Sequence, residues 1–598
     1  MKDIHSFSVG AWVLGAMLMP ALAAAAGSSP PGPQPAEPST DQLADLVLLH
    51  GKIHTEDPER RVVSALALRG KTIVGVGTDA AIAALAGPGG RTVDLAGRVV
   101  IPGIIDAHTH PAEGAQDQDR CNLGDDMIAL AALKRRVGRC LADQPGARHG
   151  WFEVVQVNPS GLTLTRADLD GILEERPLLL DGSDGHTVWA NSAALRAAHI
   201  GDATHDPVGG RIERDAAGQP TGTLRDAATD LVTSAKPPVP LAREAAQLAK
   251  AFAAMRATGI TSVQDAAVDA HDMRIYKRLY DQHRLQMRVR GAFTIKNLSE
   301  PAADAIAAAI AFRKTWAVDP DFLRADAVKI FADGVIEYPS QTAALLEPYL
   351  APDGRPTANR GPSYFEQDNL NRIVAGADEA GFTVHVHAIG DRAVRCALDA
   401  FEYARAHGGS SQRDQIAHLE LIDPADLARF GALNVIANFQ LLWAEDDEYV
   451  DRATIPYLGS ERSRHLYPVR GVRDAGALIA AGSDWDVSSF NAFAGMEHAV
   501  TRARSRGEKP LLPEQSITLQ QAVDAYTVNA AYALRQERTT GSLEVGKRGD
   551  FVVLDRDIFA IDVYDVHETR VVATYLDGHL VYSRSRNRGS AVTPGVTE

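Results

Sequence analysis

The sequence predicts an α/β protein built on a (β/α)8 barrel of the TIM type, with a small β-sandwich domain and a long insertion. Eight apolar strand-like segments alternate with alanine-rich helical segments through the middle of the chain, which is typical of parallel βα units. Short alternating strands with Gly-Lys and Asp-Gly turns stand at both chain ends, and they indicate one sandwich assembled from both termini. A gap of about 150 residues after the first barrel strand is too long for one βα loop, so it must be an insertion.

The eight predicted barrel strands carry polar side chains near their carboxyl ends. In chain order they are VVIPGIIDAHTH, ending near His110, and the segments 259–266, 288–294, 327–334, 382–391, 415–421, 434–440 and 478–485. Catalytic groups of such barrels lie at the carboxyl ends of the strands. We therefore expect the site at these ends, with the insertion overhanging it.

The first residues are typical of a secretory signal peptide. Lys2 precedes an apolar stretch that ends in small residues, and cleavage is expected after Ala23 or Ala26. We expect the mature protein to be exported, into a periplasm, without a stable membrane anchor. The predicted division of the chain is 1–26 signal peptide, 27–42 Pro-rich spacer, 43–101 first part of the sandwich, 102–535 barrel with its insertion at 111–258, 536–585 second part of the sandwich, and 586–598 disordered tail.

Composition excludes several classes of protein. The 598 residues include 61 Lys and Arg against 77 Asp and Glu, a net charge of −16, so no nucleic-acid partner is expected. The expected partner is a small-molecule substrate, and no oligomeric state is predicted. The three cysteines, Cys121, Cys140 and Cys396, are too few for a disulfide framework and lack CxxC metal spacing. In an oxidising compartment Cys121 and Cys140 can pair; unpaired buried thiols are an equal alternative.

Four histidines near strand ends predict a metal site. His108 and His110 close the first strand, and at a strand period of two their imidazoles lie on the same side. His387 falls near the end of the fifth strand and His418 near the end of the sixth. Imidazole is a usual ligand of Zn²⁺, which is therefore the expected metal. His385 shares the face of His387 but lies deeper, so we interpret it as a packing or supporting residue.

A lysine and an aspartate complete the predicted set. Lys329 stands in the apolar run Ala-Val-Lys-Ile-Phe-Ala of the fourth strand, where burial would favour its neutral amine. A neutral amine can add CO₂ to form a carbamate that bridges two metals; an ion pair with Asp333 is the equal alternative. Asp484 ends the eighth strand, where a carboxylate can bind a metal and accept a proton from metal-bound water.

The insertion contains a segment that suits a lid over the substrate. His186 and Trp189 lie in LLLDGSDGHTVWANSAAL. Both are predicted to contact substrate, His186 through its polar imidazole and Trp189 through its apolar ring. An ordinary turn before a helix is the alternative for His186, and core packing is the alternative for Trp189. Asn191 is interpreted as the cap of the helix that follows.

Taken together, these motifs resemble the amidohydrolase superfamily. The succession is HTH on strand one, Lys on strand four, His on strands five and six, and Asp on strand eight. HAIGD at 387–391, DGH at 184–186 and GSD at 482–484 are similar to amidohydrolase family 3, a branch that includes N-substituted formamide deformylase and many exported metal-dependent hydrolases. The resemblance covers nearly the whole mature chain.

The resemblance implies roles for the same residues. His108 and His110 would bind the more buried metal, His387 and His418 the other; carboxylated Lys329 would bridge them, and Asp484 would ligate and act as general base. Asp333 and Asp391 would orient ligands rather than bind metal. One or two divalent ions, Zn²⁺ above all, are therefore expected as cofactors.

The function implied is hydrolysis of a non-peptide C–N bond in an amide, formamide or cyclic amide by metal-activated hydroxide. Ester or lactone hydrolysis at the same site is one alternative, because the same hydroxide attacks either carbonyl. A non-catalytic exported binding protein is another alternative, although the intact HTH and GSD motifs argue against it. The substrate itself is not predicted.

Overall fold

The computed structural model describes residues 43–117, 120–143, 150–160, 162–362, 364–409 and 413–584. The predicted signal peptide, the Pro-rich spacer and the C-terminal tail lie outside the described residues. Within the described part, no helix has the length and apolar composition needed to span a bilayer.

The N-terminal part consists of short strands of a β-sandwich. Four of them form a sheet in the order β5-β4-β1-β6, whose inner face carries apolar side chains such as Leu48 and Leu66. The elements are β1 (Ala44–Leu49), β2 (Lys52–His54), β3 (Val62–Val63), β4 (Ala65–Arg69), β5 (Thr72–Gly77), α1 (Asp79–Ala83), β6 (Ala86–Asp94) and β7 (Val99–Pro102).

The first barrel strand, β8 (Ile104–Thr109), is followed by the predicted insertion, which is an α/β unit with its own core. Its elements are α2 (Pro111–Asp117), β9 (Cys121–Asn122), α3 (Leu130–Asp143), β10 (Phe152–Val157), α4 (Arg166–Asp170), β11 (Leu178–Gly182), β12 (Thr187–Ala190), α5 (Ser192–Ala197), β13 (Gly210–Arg214), β14 (Pro220–Asp226) and α6 (Thr229–Thr233). The six strands lie in the order β13-β14-β12-β11-β10-β9. A disulfide joins Cys121 of β9 to Cys140 of α3, so these two cysteines are paired.

The rest of the barrel follows in regular alternation. Its elements are α7 (Leu241–Ala257), β15 (Ile260–Val268), α8 (Ala270–Asp281), β16 (Arg288–Thr294), α9 (Ala302–Thr315), β17 (Leu323–Phe331), α10 (Gln367–Glu379), β18 (Thr383–Ala388), α11 (Asp391–Ala406), β19 (Gln415–His418), α12 (Leu427–Leu433), β20 (Ile436–Phe439), α13 (Ile455–Leu458), α14 (Val469–Asp474), β21 (Ile479–Ala481), α15 (Ala492–Thr501), α16 (Leu519–Ala525) and α17 (Val528–Ala533). The eight parallel strands form one sheet in the order β21-β20-β19-β18-β17-β16-β15-β8. The predicted barrel is confirmed.

The first and last barrel strands meet just beyond β21. The backbone N–H of Asp484 donates to the carbonyl of His108 at 2.8 Å. Gly482 lies so close to β8 that a Cβ on it would stand 2.4 Å from the backbone nitrogen of His108, so this approach requires glycine. The closure therefore brings the ends of strands one and eight into direct contact.

The C-terminal strands complete the sandwich. These are β22 (Phe551–Leu554), β23 (Val571–Leu576) and β24 (His579–Ser583), and they join the early strands in the order β24-β23-β22-β7-β2-β3. β22 pairs antiparallel with β7, so the two chain ends share one sheet, as predicted. The segment near Gly541 contains no strand: Leu543 is buried in the sandwich core from a turn, and its N–H donates to the carbonyl of Thr55 at 2.7 Å.

Candidate metal centre

Three side chains from different strand ends converge at the carboxyl end of the barrel. His108 of β8, His418 of β19 and Asp484 after β21 are buried, and each offers a ligand atom within 4.8 Å of the other two. His108 Nε2 lies 3.2 Å from Asp484 Oδ1, and His418 Nδ1 lies 3.9 Å from Asp484 Oδ2. We call these three residues the His–His–Asp triad. Two imidazoles and a carboxylate form a donor set that suits a divalent cation such as Zn²⁺.

The triad contains buried polar atoms that no group of the described protein satisfies. Both ring nitrogens of His418 lack a hydrogen-bond partner among the described residues, although His418 is only 3% exposed. Burying such atoms unsatisfied is costly, so their orientation calls for a ligand. Burial first, and then the charge of Lys329, lowers the pKa of His108 to about 3, and burial holds the pKa of His418 well below its usual value. Neutral imidazoles are the form that binds metal. The triad therefore fits a metal ion.

Backbone conformation at the triad is unusual. His418 has a φ of 76° and Asp484 a φ of 53°, both in the left-handed region that non-glycine residues rarely adopt. Asp106 holds the loop that carries Asp484: its carboxylate accepts from the Ser483 hydroxyl at 2.6 Å and from the Ser483 N–H at 2.9 Å. Strain of this kind persists where the surroundings enforce it, and it often marks functional sites.

His110 lies beside the triad. Its Nε2 is 3.1 Å from Asp484 Oδ1, and its Nδ1 is buried without a hydrogen-bond partner. Burial alone would lower its pKa, but the hydrogen bond and charge of Asp484 outweigh burial and raise the pKa of His110 to about 9. Asp265 of β15 stands 4.0 Å behind Nδ1. His110 is therefore an ion-pair partner of Asp484 on the open side of the triad.

Lys329 of β17 points into the same centre. Its Nζ lies 3.3 Å from His108 Nε2, and the side chain is fully buried. Burial lowers the pKa of Lys329 to about 8, although the charges of Asp484 and Asp265 raise it. An amine with this pKa is partly neutral near pH 7 to 8, which is the form that adds CO₂. Asp333 is not the ion-pair partner of Lys329, because the Asp333 carboxylate accepts hydrogen bonds from backbone N–H groups.

His387 of β18 contacts the triad through its ring. The ring centroids of His387 and His418 are 4.4 Å apart. Its Nε2 lies 3.1 Å from the carbonyl oxygen of Gly334, and a hydrogen bond there requires Nε2 to carry the proton. Nδ1 then holds the lone pair, so it is the nitrogen through which His387 would bind a metal.

His385 and Asp333 support the centre, whereas Asp391 does not contact it. His385 Nε2 lies 2.9 Å from His108 Nδ1, which leaves Nε2 of His108 to face Asp484. The Asp333 carboxylate accepts backbone N–H groups at Ile389 and Gly390, and burial raises its pKa to about 7. Asp391 accepts the N–H of Leu346 at 2.8 Å from the start of α11, away from the triad.

His186 reaches the cavity from the insertion, while Trp189 does not. Nδ1 of His186 lies 2.8 Å from Asp226 Oδ1, and the other Asp226 oxygen accepts from the Tyr364 hydroxyl at 2.7 Å. The ring of His186 stands 5.2 Å from that of His387. Trp189 is 1% exposed and packs in the core of the insertion, where a large apolar ring loses most contact with water. The prediction that Trp189 forms a wall of the substrate site is therefore replaced by core packing.

The triad opens into a cavity of about 570 Å³. Barrel residues and insertion residues both line it, so the insertion forms its roof. Sequence reasoning missed several carboxylates that support or line it, including Asp106, Asp226 and Asp265. Asp106 sits inside the DAHTH motif, which was its only signal in the sequence; Asp226 and Asp265 carry none, because their role depends on contacts between distant segments.

A family model described as the amidohydrolase family matches residues 91–582. N-substituted formamide deformylase of Arthrobacter pascens is 29% identical over 569 residues, covering 91% of this chain and 99% of that protein. Protein LONG AFTER FAR-RED 3 of Arabidopsis thaliana is 30% identical over 572 residues, covering 91% and 93%. The solved structure of an uncharacterized metal-dependent hydrolase from Pyrococcus horikoshii shares the fold, with a TM-score of 0.67, 21% identity and coverage of 87% and 99%. Because the family model spans well over half of the sequence, the chain belongs to the amidohydrolase family and is a hydrolase.

Proposed function

We propose that the protein hydrolyses a non-peptide C–N bond of a small amide or formamide, using one or two divalent metal ions, Zn²⁺ above all. The observation that carries the proposal is the His–His–Asp triad, whose unsatisfied buried atoms face a cavity large enough for a small molecule. The similarity to N-substituted formamide deformylase supports the choice of bond.

The proposed ligand set extends beyond the triad. His108, His110 and Asp484 would hold one ion, His387 and His418 the other, and a carboxylated Lys329 would join them. His110 would lose the proton that Asp484 favours, because a histidine binds metal through a deprotonated nitrogen. A bound divalent ion acts as a Lewis acid and lowers the pKa of water to about 7. The imidazole-rich donor set supports zinc over harder cations, which prefer oxygen ligands.

Asp484 is proposed to move the proton. Burial would raise its pKa, but His108 and His110 hold the pKa of Asp484 well below its usual range, so it stays ionised. Its carboxylate would accept a proton from the attacking water and pass it to the departing nitrogen. Oδ1 is buried and lies 3.2 Å from His108 Nε2 and 3.1 Å from His110 Nε2, contacts that favour the ionised carboxylate and support this role.

His186 is proposed to orient the substrate carbonyl. Asp226 is hydrogen-bonded to Nδ1 of His186, so Nε2 is the nitrogen that remains available on the cavity side. A proton on Nε2 can be donated to the carbonyl oxygen as negative charge develops there. The insertion would thus contribute to the chemistry as well as cover the barrel.

Export is proposed for the mature chain. The apolar N-terminal stretch is typical of a signal peptide, and the pairing of Cys121 with Cys140 supports an oxidising compartment such as a periplasm.

Formate release from simple N-substituted formamides tests the proposed function. The Zn²⁺-loaded chain should release formate, and Asp484→Asn, which keeps the shape of the side chain, should reduce kcat by at least about 100-fold. The circular dichroism spectrum and Tm of the variant should show a folded barrel. Near-normal turnover by folded Asp484→Asn would contradict the role of Asp484. If the wild-type chain releases no acid from formamides or other amides, the proposal of C–N hydrolysis is wrong.

A further inference from the structure

One wall of the cavity is rich in carboxylates. Glu337, Glu420 and Asp447 all line it, and Asp184 stands next to them from the insertion. Ile336, Leu421 and Val450, which lie close to the first three of these carboxylates in the chain, belong to one hydrophobic cluster, so the three loops that carry the carboxylates lie side by side. We call Glu337, Glu420 and Asp447 the acidic wall.

The charge of His186 offsets part of the repulsion at Glu337, but the acidic wall has no lysine or arginine partner in the described protein. Among the described residues, neither Lys nor Arg forms an ion pair with any of its three carboxylates. Arg120 and Lys236, which also line the cavity, are paired with Glu153 in the insertion at 2.9 and 2.8 Å. Glu420 is 3% exposed, while Glu337 and Asp447 are half-buried. Carboxylates that are partly removed from water without a full counter-charge are costly, so the acidic wall is a place where a cation lowers the free energy.

Aromatic rings lie among these carboxylates. Trp443, Tyr449 and Tyr467 line the same cavity, and the backbone N–H of Tyr467 donates to the carbonyl of Glu420 at 2.7 Å, so these two residues are neighbours. Ring faces attract ammonium groups, and carboxylates with aromatic rings are a common way to bind organic cations.

The acidic wall is continuous with the reaction centre. The ring of Trp443 stacks on that of His418, with centroids 5.6 Å apart and an interplanar angle of 9°. His418 is 3% exposed, lines the cavity, and has no hydrogen-bond partner on either ring nitrogen. A molecule that reaches the triad therefore also reaches the acidic wall.

The arrangement does not suit a further metal ion. Among the described residues, the His–His–Asp triad is the only group of three or more His, Cys, Asp or Glu whose ligand atoms fall within 4.8 Å of one another. The carboxylates of the acidic wall are too dispersed to enclose one ion. Dispersed acceptors suit an ammonium group, whose three N–H donors point in different directions.

We infer that the substrate is an amide or formamide of a diamine, with one nitrogen acylated at the triad and a free ammonium group at the acidic wall. This inference rests on the proposed function and names its substrate class. Water would add to the acyl carbon as the C–N bond breaks, and its proton would pass to the departing nitrogen, so the products are a carboxylate and a diamine.

Binding of two matched probes tests the charge preference without turnover. Isothermal titration calorimetry on the Zn²⁺-loaded full chain would compare 1,4-diaminobutane with 1,4-butanediol, in which neutral hydroxyls replace the ammonium groups. The diamine should bind at least about tenfold more tightly, as expected for a charge-assisted hydrogen bond. Glu337→Gln, with Asp447→Asn as a second variant, should reduce this preference about tenfold.

Asp230→Asn is the matched control. Asp230 also lines the cavity, but its side chain is 66% exposed and stands on the insertion. Asp230→Asn should keep the preference, because an exposed charge contributes little. Equal binding of diol and diamine, an unchanged preference in both Glu337→Gln and Asp447→Asn, or an equal loss in Asp230→Asn would overturn the inference.

Kinetics separates this inference from the proposed function. N-formyl-1,4-diaminobutane and N-formylpentylamine have the same length, and kcat/KM should favour the first by about tenfold or more. Equal hydrolysis of both would refute the diamine inference and leave the proposed function standing. Selective diamine binding without hydrolysis of either formamide would refute the proposed function and support a cation site in the cavity.

Discussion

His186 is held in the cavity by a carboxylate and a phenol behind it. Burial would lower its pKa, but the hydrogen bond and charge of Asp226 outweigh burial and raise the pKa of His186. A raised pKa means that the proton on His186 is kept to higher pH and lost as the pH rises through that pKa. Asp226 and Tyr364 are therefore positioning residues for His186, acting through its tautomer and its charge.

Asp226→Asn should shift the alkaline limb of the kcat profile to lower pH. Without the Asp226 charge, burial is the main effect on the pKa of His186, so His186 loses its proton at a lower pH. We expect kcat at neutral pH to fall about 10- to 100-fold, as for other residues that support a site from behind. Steady-state kinetics on a hydrolysed formamide across pH measures both effects. Tyr364→Phe removes only one hydrogen bond to Asp226 and should shift the limb less; an unmoved limb in Asp226→Asn would contradict this account.

Lys329 is proposed to join two metal ions as a carbamate, and the metal content tests this role. If it is a bridging carbamate, Lys329→Ala should lower the metal content from about two ions per chain to one or none. Elemental mass spectrometry on the purified mature chain measures this directly. His186→Ala is the control, since His186 is proposed to bind substrate and should leave the metal content unchanged. One ion per chain in both the wild type and Lys329→Ala would instead favour a mononuclear site.

Single strands show where reasoning from the sequence works and where it stops. The sequence predicts all eight barrel strands, because apolar runs between alanine-rich helices are a local signal. The run VVIPGIIDAHTH predicts one strand, but in the structure it divides at Gly103 between β7 of the sandwich and β8 of the barrel. A Cβ on Gly103 would stand 2.3 Å from the Thr261 hydroxyl, so the division is set by a neighbouring strand and has no local signal.

Trp189 illustrates the same limit on β12. Its place after a histidine and next to a helix start is compatible with a lid, and only the neighbouring strands decide otherwise. It packs with Phe152 and Leu180 in the core of the insertion. The burial of a side chain depends on which strand lies beside it, and the residues around Trp189 do not predict the order of the strands in the sheet.

Trp189→Ala should destabilise the insertion without removing the metal. Truncating a buried tryptophan leaves a cavity and typically costs about 3–5 kcal/mol. Hydrogen exchange should show faster opening of β10 to β12, while exchange in the barrel strands changes little. Val545→Ala, at a residue that is 65% exposed, is the control and should stay within about 0.5 kcal/mol of the wild type. Unchanged exchange in the insertion would mean that Trp189 is not part of its core.

Over the whole molecule, the site is assembled from segments that are far apart in the chain. The triad could be predicted because each member ends a barrel strand, and strand ends meet at one face. The supporting carboxylates could not, since Asp226 belongs to the insertion and contacts His186 only after β12 and β14 pair. The acidic wall likewise joins loops after β17, β19 and β20, and its excess of charge is visible only once these loops are placed together.

The oxidation state of the three cysteines tests the proposed export. Export predicts that Cys121 and Cys140 are oxidised in the mature protein, which leaves Cys396 as the free thiol. Thiol titration of the unfolded, unreduced protein should therefore find one thiol per chain, and three after reduction. Cys140→Ser should destabilise the insertion by about 3 kcal/mol, because the bridge closes a loop of moderate length in the unfolded chain. Three thiols before reduction, in protein purified from the periplasm, would contradict the pairing, and a mature N-terminus still at Met1 would contradict cleavage.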